Sequence, residues 1–89
     1  MKIELFYSPG CQRCDAARAG LKSTAEKTLA DVSWAWAELN VLEHLDYAVE
    51  LGILTLPAIA IDGALVFTSL PTASELAAEL SQRTRRQRP

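Results

Sequence analysis

The stretch Ile3-Glu4-Leu5-Phe6-Tyr7 is an apolar run of strand formers that ends on a turn, Ser8-Pro9-Gly10. A helical pattern follows at once. From Cys11 or Gln12 to about Leu29, Ala17, Leu21, Ala25 and Leu29 recur every four residues, while Arg18, Lys22, Glu26 and Lys27 lie off that stripe. A strand running through a tight turn into an amphipathic helix predicts a layered α/β domain, with the helix packed on a sheet. The junction also carries the chain's only cysteines, in Cys11-Gln12-Arg13-Cys14.

The rest of the chain continues the alternation. Val32 to Leu39 predicts a second strand, with Trp34 and Trp36 on one face by strand period. Glu43 to Leu51 predicts a short second helix. Gly52 stands where a left-handed residue ends a helix, with Ile53 as its apolar contact. A third strand, Ala58 to Ile61, follows Leu54-Thr55-Leu56-Pro57. Asp62-Gly63 is a hairpin signal leading to a fourth strand, Ala64 to Thr68. Thr72-Ala73-Ser74-Glu75 fits a capping box opening a third helix that buries Leu76 and Leu80. The order is βαβαββα. It implies a right-handed crossover between parallel strands, then an antiparallel hairpin, so the four-stranded sheet is mixed and covered by three helices.

Composition narrows the function. Eighty-nine residues hold one core, expected over residues 1–82. Those residues carry a net charge of −6, against +4 in the last seven, where Arg83, Arg85, Arg86 and Arg88 form a basic tail expected to be disordered. The acidic body argues against nucleic-acid binding. No apolar stretch approaches the roughly 20 residues of a membrane span. The N-terminus, Met1-Lys2-Ile3-Glu4, has no secretory h-region, so the expected compartment is the cytoplasm. There, a C-x-x-C pair is redox-active or metal-binding rather than structural.

A thiolate, not a thiol, attacks a disulfide. The start of a helix favours the thiolate through its backbone N–H groups, and Arg13 and Arg18 add positive charge. Asp15 acts the other way. On this reading Cys11 is the exposed nucleophile and Cys14, one turn further in, the resolving thiol. Pro57 opens the third strand and cannot donate to a sheet ladder, which suits a first strand residue or a tight bend with a cis peptide bond. Backbone groups freed beside it could pair with an extended substrate. His44 is expected to be an exposed residue of the second helix. Two cysteines and one distant histidine argue against a closed structural zinc site within one chain, and leave open a zinc or iron–sulfur site shared between two chains. A thiolate carrier for a soft metal or metalloid, and a non-catalytic interaction module, remain open as alternatives.

Tyr7-Ser8-Pro9-Gly10-Cys11-Gln12-Arg13-Cys14, with Thr55-Leu56-Pro57 and the Asp62-Gly63 hairpin, resembles the thioredoxin-fold superfamily, its small glutaredoxin-like members above all. The resemblance spans about residues 2–82. It implies a thioredoxin-like fold and a thiol–disulfide oxidoreductase without a bound cofactor. In that family the first cysteine attacks, the second resolves, and a cis-proline orients the substrate. Carried over, these roles fall to Cys11, Cys14 and Pro57, with Thr55 and Leu56 beside the substrate and Arg13 tuning the thiol. The partners implied are protein or small-molecule disulfides and a separate thiol or reductase as electron donor. The chain departs from thioredoxins in having Leu5 where they carry a buried first-strand Asp, and Gln12-Arg13 between the cysteines. It departs from glutaredoxins in having Ser8 for a lysine and Thr68-Ser69-Leu70-Pro71 for a Gly-Gly turn.

Overall fold

A computed structural model describes the backbone of residues 1–87, and the side chains through Arg85. The elements are β1 (Lys2–Tyr7), α1 (Gln12–Thr28), β2 (Ala35–Asn40), α2 (Leu45–Leu51), β3 (Ala58–Ile61), β4 (Ala64–Phe67) and α3 (Ala73–Gln87). They form one mixed sheet in the order β2-β1-β3-β4. β1 is parallel to β2 and antiparallel to β3, and β3 and β4 are antiparallel.

The sheet explains why β1 alternates so poorly in sequence. As a central strand it is covered on both faces. Ile3 and Leu5 join Leu21, Ala25 and Leu29 of α1, Leu76 and Leu80 of α3, and Ile59 and Ile61 in the larger core cluster. Phe6 points the other way, to Ala48 of α2 and to Ala58 and Ala60. Period two thus sends successive β1 residues to different helices, and both sets must be apolar or partnered.

Local chemistry sets the boundaries. Asp62 and Gly63 both have positive φ, 51° and 81°, as a type I′ hairpin requires. Gly52 ends α2 at φ 84°, and Ile53 N–H donates to Ala48 O at 3.0 Å, closing the helix end. The capping box at α3 is formed: Glu75 N–H donates to Thr72 Oγ1 at 3.1 Å, and Thr72 N–H to Glu75 Oε1 at 2.9 Å.

Three boundaries differ from the sequence expectation by more than one residue. β2 starts at Ala35 rather than Val32, because Val32 is held in a turn by its bond to Leu29 O. α2 starts at Leu45 rather than Glu43. Glu43 and His44 donate to Asn40 O and Val41 O in tighter turns, and the Asn40 side chain accepts from Leu42 N–H. α3 runs on to Gln87, through the first residues of the expected tail. Arginine and glutamine are good helix formers, and Arg83 pairs with Glu79 one turn back at 3.6 Å. Residues 88 and 89 of that tail lie outside the described residues.

Candidate active site

β1 delivers the cysteine pair to one end of the sheet. Tyr7 ends the strand, Gly10 takes a φ of 80°, and Cys11 N–H closes the turn onto Ser8 O at 3.2 Å. Cys11 is the N-cap of α1. Its backbone is extended, and its Sγ accepts the Cys14 N–H at 3.2 Å. A sulfur thus occupies the position where Ser, Thr, Asp or Asn usually offers an oxygen. Negative charge on that sulfur would face the positive end of a 17-residue helix.

Cys11 and Cys14 are joined by a disulfide, with their Cα atoms 5.3 Å apart. Their environments differ: Cys11 is half-buried and Cys14 is completely buried. Of the two residues, only Cys11 has exposed surface.

Pro57 lies at the same end of the sheet. Phe6 of β1 pairs with Ala58 of β3, so the residue before Ala58 stands beside the end of β1. The Leu56–Pro57 peptide bond is cis. The Thr55 hydroxyl donates to Thr68 O at 2.5 Å, tying the segment before β3 to the end of β4. Thr55 is exposed, and Leu56 packs half-buried against the smaller core cluster. The fold therefore brings Cys11, Cys14, Thr55, Leu56 and Pro57 to one end. Arg13 is exposed on the first turn of α1 and takes part in no ion pair among the described residues. His44 is an exposed N-cap whose side chain makes no capping bond.

A charged network below the pair is not evident from the motif. Arg18, one turn after Cys14, donates from Nε to Glu38 Oε1 of β2 at 2.8 Å and from Nη1 to Asp15 Oδ1 at 3.1 Å. Its guanidinium also lies 4.2 Å from the centre of the Tyr7 ring. Glu38 Oε2 accepts from Trp36 Nε1 at 3.0 Å. Partial burial pushes the Glu38 carboxyl up, but the bonds from Trp36 and Arg18, with the Arg18 and Lys22 charges, outweigh it and hold it below the ordinary carboxylate range. The Glu38 hydrogen bond in turn holds Arg18 above its ordinary value. The one signal in the sequence was an acid on β2 and a base on α1. Nothing local shows that they meet.

The sequence from residue 1 to 81 matches the family model described as the thioredoxin domain. This chain belongs to the thioredoxin family. Thioredoxin from Methanocaldococcus jannaschii is 35% identical, over 93% of this chain and 95% of that protein. A probable thioredoxin from Methanothermobacter thermautotrophicus is 32% identical, over 85% of this chain and 87% of its own length. Among solved structures, thioredoxin 1 from Thermosipho africanus superposes with a TM-score of 0.72 at 21% identity, covering 98% of each chain. Membership and the bonded cysteine pair make this thioredoxin-family protein a thiol–disulfide oxidoreductase. Thioredoxins in general act on disulfide substrates and draw electrons from a reductase. Among the described residues, no helix is long and apolar enough to cross a membrane.

Proposed function

We propose that Cys11 attacks the substrate disulfide and Cys14 resolves the mixed disulfide that forms. The observation carrying this assignment is the contrast in burial: Cys11 is accessible at the helix N-cap, and Cys14 is fully enclosed one turn later. In the reduced protein the Cys11 thiolate attacks one sulfur of the substrate and expels the other as a thiolate. The Cys14 thiolate then attacks Cys11 Sγ, restoring the Cys11–Cys14 bond and releasing the second substrate sulfur. Two electrons pass to the substrate, which takes up two protons as its thiols form. A thiol or reductase returns the pair to the dithiol.

The substrate is read as a protein disulfide in the cytoplasm. β1 and β2 are parallel and β3 is antiparallel to both, so the segments after β1, β2 and β4 and before β3 share one end of the sheet. Three of these segments carry exposed leucines: Leu42 at 62%, Leu54 at 95% and Leu70 at 42%. Exposed apolar side chains at the end of the sheet that carries the cysteine pair favour an unfolded or extended chain over a small polar thiol compound. Leu56 and Pro57 would bound the segment that the substrate backbone meets, with Thr55 holding that segment to β4 and Arg13 adding positive charge beside the thiol.

Trapping tests the assignment. Reduced Cys14→Ser protein should accumulate a mixed disulfide with a disulfide-bonded test protein, visible as an adduct at Cys11. Cys11→Ser protein should form none and reduce nothing. Disulfide reduction that survives in Cys11→Ser would overturn it.

A further inference from the structure

We propose that Arg18 is a positioning residue for the reactive thiol, its charge held beneath the cysteine pair by Glu38 and Tyr7 so that it offsets Asp15 and favours the thiolate of Cys11. This rests on Cys11 being the attacking residue. Side chains on a helix lean toward its N-terminus, and residues four apart are neighbours, with Cβ atoms roughly 5–6 Å apart. Arg18 therefore leans back toward Cys14. Its bond to Asp15 at 3.1 Å and its stacking on Tyr7 at 4.2 Å hold the guanidinium at the level of the first turn. Tyr7 immediately precedes the turn that carries Cys11, and Asp15 immediately follows Cys14.

The groups around this guanidinium come from three elements. Asp15 belongs to α1, Tyr7 to β1, and Glu38, bonded also to Trp36 and facing the Lys22 charge, to β2. Arg18 Nε donates to Glu38 Oε1 at 2.8 Å, and Nη2 lies 2.8 Å from the same oxygen. This leaves Nη1 for Asp15. One cation thus faces two acids, one of them on the first turn of the helix that Cys11 caps. Removing the cation exposes both carboxylates and disfavours a thiolate. Removing either acid leaves the cation less compensated and favours one.

That opposition of sign separates charge from scaffolding. Arg18→Gln and Glu38→Gln break the same ion pair from opposite ends, so a purely structural role predicts the same change in both. The experiment is alkylation of Cys11 in the fully reduced protein, followed by mass spectrometry as a function of pH. The Arg18→Gln midpoint should rise by about half a unit, roughly a threefold slower reaction near neutral pH, the order of effect expected from losing one unit charge screened by a mostly aqueous medium. The Glu38→Gln midpoint should fall. Arg18→Lys, which keeps the charge, should stay near the native value. All shifts should shrink in molar salt. An unchanged midpoint in Arg18→Gln, or shifts of the same sign in Arg18→Gln and Glu38→Gln, overturns the proposal while native disulfide exchange leaves the role of Cys11 intact. Native protein whose Cys11 forms no mixed disulfide overturns that role, and this proposal with it.

Discussion

On the face of the sheet covered by α1 and α3, nine buried aliphatic side chains form one cluster. On the face covered by α2 the buried cluster among the described residues is Phe6 and three alanines, and the same layer contains a buried carboxylate. Glu4 is 3% exposed in the middle of β1. It accepts a hydrogen bond from the Tyr47 hydroxyl of α2 and lies 3.6 Å from Lys2 Nζ. Among the described residues the cluster on the first face is wholly apolar, and Arg18 pairs with Glu38 at its rim. The second face takes a carboxylate into its layer and depends on a single neutral donor and a mostly exposed lysine to satisfy it. Cohesion is thus concentrated on the α1/α3 side. The α2 side is thinner and carries Leu42, Leu45 and Val49 on its outer surface.

The comparison makes graded predictions. Leu5→Ala should cost about 2–5 kcal/mol in denaturant unfolding, since it empties a site closed on all sides. Leu51→Ala, on the half-buried α2 side, should cost roughly half as much or less. Equal losses would show that the two faces contribute alike.

Tyr47→Phe should cost about 1–3 kcal/mol at neutral pH, because it leaves Glu4 buried without its donor. The hydrogen bond to Glu4, with burial and the charges of Glu4 and Glu50, pushes the Tyr47 hydroxyl up to about 12. A group raised on folding stabilises fully below its unfolded value, about 10 for tyrosine, and loses that contribution as pH rises through the folded value. Native protein should therefore lose stability between about pH 10 and 12. Tyr47→Phe should lack this component, so the gap between the two unfolding curves should close across that window. A gap that stays constant to pH 12 would assign the cost of the substitution to packing.

The smallest effect belongs to the outer surface of α2. Val49 is 75% exposed, and Val49→Thr should change stability by no more than about 0.5 kcal/mol. A larger loss would mean that the side chain is covered in solution.

Much of the molecule was legible because its signals are local. The hairpin needs only Asp62 and Gly63 in positive φ, the α2 terminus only Gly52 and Ile53, and the α3 start only Thr72 and Glu75. The cysteine pair was legible for the same reason, since its N-cap geometry spans four residues. The onset of α2 is less legible, because Glu43 and His44 fit a helical pattern but are held in turns by bonds to Asn40 O and Val41 O. In the sequence Glu4 is a single charged residue inside an otherwise apolar run. Its partner is 43 residues away, so no window of sequence joins them.

By itself, then, the sequence determined the order of elements, the turns between them and the presence of two thiols at a helix start. Each depends on interactions among a few neighbouring residues. Tertiary structure decided what those thiols face. The order β2-β1-β3-β4 sets Pro57 beside the end of β1, and it brings Glu38 within 2.8 Å of Arg18 across 20 residues. Such contacts exist only once burial of apolar strands and helices has fixed the register. Their energies belong to the packed chain and have no counterpart in any local segment.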